Sequence, residues 1–199
     1  MKRARCRRTG PQHRDVRRAV RVIAQPGLDG PESSSLGRMT PEDLVEIEAI
    51  KQLKYRYARC LDLKLWDELR TTFVDDAVCD YSGGKYHHEG ADNIVAWIKQ
   101  GMGAETFLSS HKMHHPEIEI TGPDTARATW ALDDRVIMED LKLVVRGCCF
   151  YTDTYRKVDG KWKIVHTGYK RVYEEIESKP DLNITAHYWR TGGQSALPA

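Results

Sequence analysis

With 199 residues, 40% of them hydrophobic and 30% charged, the chain has material for one domain with a sizeable core and little besides. No run approaches the roughly 18 apolar residues of a membrane-crossing helix, so no membrane partner is expected. The net charge of +2 conceals a basic segment, residues 1–38 with ten Lys/Arg against three Asp/Glu, and a mildly acidic remainder that argues against nucleic acid as the main ligand.

Residues 1–38 are Arg-rich and then drift into Pro26, Gly27, Gly30, Pro31 and Ser33 to Ser35, the composition of a disordered basic extension. A nucleic-acid arm, an organellar transit peptide and a functionless stretch ahead of a start at Met39 are its three readings. Order is expected from Thr40. Thr40 can cap, Pro41 suits the first helical position and Asp43 completes a capping box. Leu44, Ile47, Ile50, Leu53, Tyr57 and Leu61 then follow at spacings of three and four, one face of a long helix. Residues 66–73 read as a second helix. A strand follows over residues 78–81, then a Gly83-Gly84 turn into residues 85–88, and residues 90–102 read as a third helix.

Beyond that the period becomes two. Ile118 and Ile120 alternate with Glu117 and Glu119, and Gly122-Pro123-Asp124 turns the chain. The next strand places Ala126, Ala128, Trp130, Leu132, Asp134, Val136 and Met138 on one face. Another strand covers residues 143–157, and Asp159-Gly160 is a two-residue hairpin signal returning through residues 162–172. Helices first and an antiparallel meander after them predict an α+β fold. The expected division is an extension (residues 1–38), a domain (residues 39–176) and a tail (residues 177–199).

Five cysteines (Cys6, Cys60, Cys79, Cys148, Cys149) are odd in number and lack CxxC spacing, so reduced thiols and a cytoplasmic location are expected. Four places look chemically unusual. Tyr57 interrupts an apolar helical stripe, and Asp62 stands where that helix should end; five residues span about 140° of rotation, so both meet one cavity only if the helix ends or bends near Cys60. Asp134 lies on an apolar strand face, where a carboxylate is costly unless paired or wet; pairing with a core arginine and pocket lining both fit. His111, His114 and His115 crowd one segment, with a structural and a pocket histidine as the competing readings. Arg171 shares an expected strand face with Val165 and Tyr169. His87 and His88 are adjacent and face opposite ways, so they do not chelate together; no metal is expected. Nor does a nucleophile elbow, P-loop or dinucleotide fingerprint appear, so no cofactor is expected. A phenol, histidines, two carboxylates and a guanidinium suit proton transfer.

The segments Trp66-Asp67-Glu68-Leu69 and Phe73-Val74-Asp75-Asp76-Ala77 resemble the SnoaL-like branch of the nuclear transport factor 2-like superfamily. A closer resemblance is to the bile acid 7α-dehydratase family. It runs through Tyr57-Ala58-Arg59-Cys60-Leu61-Asp62, Tyr81-Ser82-Gly83-Gly84-Lys85, His111-Lys112-Met113-His114-His115-Pro116-Glu117, Asp133-Asp134, Phe150-Tyr151-Thr152-Asp153-Thr154-Tyr155, Thr167-Gly168-Tyr169-Lys170-Arg171 and Pro180-Asp181-Leu182-Asn183-Ile184-Thr185. The resemblance implies a cone-shaped curved sheet with three N-terminal helices around a deep apolar pocket. It also implies cofactor-independent elimination of water from a hydroxylated, 3-oxo, bile-acid-type steroid, free or as a coenzyme A ester. By motif the catalytic residues fall on Tyr57, Asp62, His111, Asp134 and Arg171, with Tyr81, His114, Trp130 and Tyr169 expected to bind substrate. His111, oriented by Asp62, would move the proton; Tyr57 would bond to the developing enolate or departing hydroxyl; Asp134 and Arg171 would position substrate. A ketosteroid-type isomerase, a polyketide cyclase and a non-catalytic binder of small hydrophobic ligands are the alternatives. A homo-oligomer, dimer or trimer, is expected, with Ile164, Val165 and Val172 available to an interface.

Overall fold

The computed structural model describes residues 39–198, and the basic extension lies outside them. The first helix, α1 (Pro41–Asp62), starts at a complete capping box: the Thr40 hydroxyl accepts from the Asp43 amide at 3.2 Å, and the Asp43 carboxylate accepts from the Thr40 amide at 2.8 Å. Its buried stripe runs through Ile50, Leu53, Tyr57 and Leu61. Leu44 is 56% exposed, because the first turns of α1 precede the part that meets the core. Lys54 joins the buried side, although nothing in its residue type predicts it.

After α1 the chain turns through Lys64 at φ 55°, and α2 (Trp66–Thr71) follows. The helix closes when the Thr72 hydroxyl donates to the Leu69 carbonyl, so strand β1 (Phe73–Tyr81) begins five residues earlier than expected. Strand β2 (Tyr86–Glu89) returns alongside it across a turn with positive φ at Ser82, Gly83 and Gly84. Helix α3 (Ala91–Met102) then leads into four long strands: β3 (Phe107–Gly122), β4 (Thr125–Met138), β5 (Leu143–Val158) and β6 (Lys161–Ser178).

The six strands form one sheet in the order β2-β1-β6-β5-β4-β3, with β1 parallel to β6 and every other neighbour antiparallel. The fold is thus α+β with a curved six-stranded sheet. Inner and outer positions alternate along β4, where Ala126, Ala128, Trp130, Leu132 and Asp134 are buried and Asp133 is exposed. The β5–β6 turn has Asp159 at φ 52° and Gly160 at φ 73°, the mirror-image turn that suits strand twist.

Three irregularities change which side chains face inward. In β3 the register slips between His114 and Glu117, with His115 at φ 43°. In β6 it slips at Val165, which turns Ile164 fully into the core and removes it from any outer interface. It slips again at Val172, just after Arg171. Strand β6 continues to Ser178, so the expected boundary at residue 176 falls inside a strand. The residues after it pack on the body: the Lys179 amide donates to the Lys142 carbonyl, and α4 (Tyr188–Thr191) carries Arg190 to Glu139.

One polar network crosses the core. The Lys54 ammonium meets Asp153 at 2.7 Å with both side chains fully buried. Asp153 also accepts from Thr167 (2.7 Å) and Tyr155 (2.6 Å), while Tyr155 accepts from the Trp130 indole (2.9 Å). Burial lowers the Lys54 pKa and Asp153 opposes that shift.

Candidate active site

Asp62 is the last residue of α1, and that placement aims its carboxylate at β3. Its Oδ1 accepts from the Ser109 hydroxyl at 2.8 Å and from His111 Nδ1 at 2.6 Å; its Oδ2 accepts from the His111 backbone amide at 2.9 Å. Burial pushes the Asp62 pKa up, but the hydrogen bonds and charge of His111, with Ser109, outweigh it and hold the group below the usual carboxylate range. A carboxylate on Nδ1 sets the imidazole tautomer and leaves Nε2 without a partner among the described residues. Such a ring can take or give a proton at Nε2.

In the same sheet Asp134 on β4 is the register partner of His111, and Arg171 on β6 forms a bidentate pair with it, Nη1 to Oδ1 at 2.7 Å and Nη2 to Oδ2 at 2.8 Å. These hydrogen bonds raise the guanidinium pKa further, so Arg171 is always charged. The two readings of Asp134 are therefore both met: it is paired with a core-facing arginine, and it lines the cavity.

That cavity has a volume of about 160 Å³. Met102, Phe107, Leu132 and Val136 supply its apolar wall, and His111, Asp134, Arg171, Tyr151 and Tyr169 its polar atoms. Burial pushes the phenols of Tyr151 and Tyr169 up, which keeps them protonated donors at neutral pH. Burial also pushes the thiols of Cys60 and Cys79 up to about 11 and of Cys149 to about 12, so none is poised as a nucleophile. Among the described residues no three His, Cys, Asp or Glu side chains are placed to hold a metal ion, and no helix is long and apolar enough to cross a membrane.

The sequence-derived candidates divide into three groups. His111, Asp134, Arg171 and Tyr169 line the cavity, and Asp62 stands behind His111. Tyr57 and Tyr81 are buried outside the lining, joined hydroxyl to hydroxyl at 2.8 Å, with Tyr57 edge-on to Tyr151 at 6.5 Å. The helix ends at Asp62 without bending earlier, so the rotation between positions 57 and 62 is kept and the two side chains diverge.

Trp130 and His114 lie away from the cavity lining. Trp130 is fully buried and engaged by Tyr155. His114 is exposed, its ring against His115. Counting back from Ile118 and Ile120 turns His114 inward, but the extra residue at the β3 bulge reverses the parity and turns His111 and Ser109 inward instead. Sequence reasoning missed Ser109 and Tyr151. The first lies two residues before His111, and the second shares the period-two face of Cys149, Asp153 and Tyr155.

The profile of the SnoaL-like domain matches residues 42–168. Among solved structures the chain is similar to a protein from Novosphingobium aromaticivorans provisionally named a scytalone dehydratase, at 23% identity and TM-score 0.64, over 75% of this chain and 95% of that one. It is similar to a type 2 hexachlorocyclohexane dehydrochlorinase at 15% identity and TM-score 0.63, over 71% and 95%. A type 3 dehydrochlorinase from Novosphingobium barchaimii matches at 16% identity and TM-score 0.62, over 71% and 94%. At these identities the likeness is one of fold.

Proposed function

The chain belongs to the SnoaL-like domain family, and we propose that it is a cofactor-independent lyase that eliminates water from a hydroxylated ketone of the steroid, bile-acid type by general acid/base catalysis. The observation that carries this reading is His111: its Nδ1 is held by Asp62 while its Nε2, at the wall of an apolar cavity, has no partner among the described residues. Nε2 takes a proton from carbon in conjugation with the ketone, and the C–H electrons pass into an enolate. A neutral phenol, Tyr151 or Tyr169, donates to the enolate oxygen. The enolate then reforms its carbonyl, expels the hydroxyl and receives no net proton; the imidazolium returns its proton to the departing oxygen, which leaves as water. One such positioned proton-transfer group is worth ~10²–10⁴-fold in rate.

Charge and size support a neutral ring as the group that enters. Arg171 is already neutralised by Asp134, and Asp62 adds a further negative charge behind His111, so a substrate carboxylate or thioester phosphate is better left outside. A cavity of about 160 Å³ accommodates a reacting ring, with the rest of a steroid at the mouth; complete enclosure of a drug-sized ligand takes roughly 300 Å³ or more. Two of the similar folds carry names of eliminations, a dehydratase and a dehydrochlorinase. Exposed Val172, Tyr173 and Ile176 on β6 offer apolar surface for the homo-oligomer that we also propose.

The test is a screen of oxo-hydroxysteroids, as free acids and as coenzyme A esters, read by mass for loss of water and by absorbance for extended conjugation. Loss of water that disappears in His111→Ala while ligand affinity persists supports the proposal. Products of unchanged mass assign isomerisation or cyclisation instead, and binding without any product assigns a binder.

A further inference from the structure

Arg171 belongs to β6 and Asp134 to β4, so their pair must cross the intervening strand β5. Neighbouring strands are about 4.8 Å apart, and a side chain spanning two gaps must lie flat over whatever β5 presents between them. Asp134 pairs in register with Gly147, and Gly147 with Glu174. The inward-facing residues next along β5, Cys149 and Tyr151, both carry side chains. Gly147 alone leaves a gap in that row.

The gap is filled by the guanidinium. A Cβ placed on Gly147 would lie 2.6 Å from Arg171 Nη1, 3.2 Å from its Cζ and 2.9 Å from the Tyr173 carbonyl oxygen. The φ of Gly147 is not positive, so the backbone conformation does not demand glycine there. Space does. Arg171 opposes Cys149 and so continues the inward row of Thr167 and Tyr169, and from there its side chain runs over Gly147 to Asp134.

We propose that Gly147 is a positioning residue: the missing side chain is the channel through which Arg171 reaches Asp134, and this fixes the polar wall of the cavity beside His111. The functional weight of that wall rests on the lyase reading above; the geometry of the channel does not. Any side chain at position 147 displaces the guanidinium, leaving the buried Asp134 without its partner and altering the surface offered to substrate.

Gly168 provides a matched control. It lies in the same sheet, and a Cβ there would meet the Asp80 carbonyl at 2.8 Å, as crowded against backbone as at Gly147 but without Arg171. Protein carrying 15N-labelled arginine is compared as wild type, Gly147→Ala and Gly168→Ala, with Arg171→Lys identifying the resonances. Wild type and Gly168→Ala are expected to show resolved, slowly rotating Nη signals for Arg171, and Gly147→Ala a single averaged signal. Resolved signals in Gly147→Ala would overturn the proposal.

If Gly147→Ala does not fold, the double variant Gly147→Ala/Arg171→Ala decides. Recovery of folding to the level of Arg171→Ala supports the channel, and a double variant as damaged as Gly147→Ala overturns it. Turnover of any steroid found in the screen separates the two layers. Averaged signals with turnover lost support both, whereas averaged signals with turnover intact uphold the positioning and remove the pair from the reaction.

Discussion

Replacing Asp62 by asparagine tests the arrangement at its narrowest point without needing a substrate. The carboxylate accepts three hydrogen bonds, two at Oδ1 and one at Oδ2. An amide keeps one acceptor oxygen and turns an NH2 toward the other set of donors. In its better orientation the oxygen faces Ser109 and His111 Nδ1, and the NH2 then opposes the His111 amide. One hydrogen bond to a charged acceptor is lost, a cost of about 2 kcal/mol. The pH dependence has a definite sign. The folded pKa of Asp62 is depressed, so its contribution is fully present above the unfolded value of about 3.9 and is lost as pH falls through the lower folded value. Urea unfolding of both proteins should therefore show a gap of about 2 kcal/mol at neutral pH, closing as acid is added below about pH 4. Where turnover is measurable, the misdirected imidazole should cost ~10²–10⁴-fold. A gap that stays constant or widens in acid would refute the role given to this carboxylate.

Other perturbations probe the surroundings. Lys54→Met strands the Asp153 carboxylate in the core and should cost about 3–5 kcal/mol in thermal or urea unfolding, with Lys54→Met/Asp153→Leu recovering part of the loss. His114→Ala should leave ligand binding and turnover unchanged, because that ring is on the exposed side of β3; a large loss would place the histidine back in the site. Tyr151→Phe should lower kcat by roughly tenfold to a hundredfold, the worth of one hydrogen bond to a developing charge. Tyr57→Phe, one layer behind, should cost less, and the reverse order would identify Tyr57 as the group that meets substrate.

Much of the architecture was legible because it follows from short-range rules. The Thr40 capping box, the Asp159-Gly160 turn and the alternation from Ala126 to Asp134 each involve residues close in sequence, and each is realised. The early start of β1 at Phe73 was hidden because helix closure by Thr72 depends on one side-chain bond to Leu69 rather than on periodicity. Lys54 was hidden for a different reason. A lysine enters a core only when a carboxylate waits there, and Asp153 lies on β5, far from Lys54 along the chain. No local pattern connects them.

The candidate site was legible in its residue types and less so in its directions, and within the sheet the cause is strand irregularity. Residues keep their expected side only as far as the next irregularity. The β3 bulge puts His111 rather than His114 on the inner side, and the β6 slip at Val165 lets Ile164 before it and Tyr169 and Arg171 after it all oppose inward residues of β5. A bulge shifts parity by one residue, and a shift of one moves a side chain to the other face of the sheet. Two such shifts set the directions of the His111 and Arg171 groups assigned the chemistry. Regular β-structure would have alternated these polar groups between core and solvent; the irregularities gather them onto a single apolar wall, where a carboxylate and a guanidinium persist only because each finds the other.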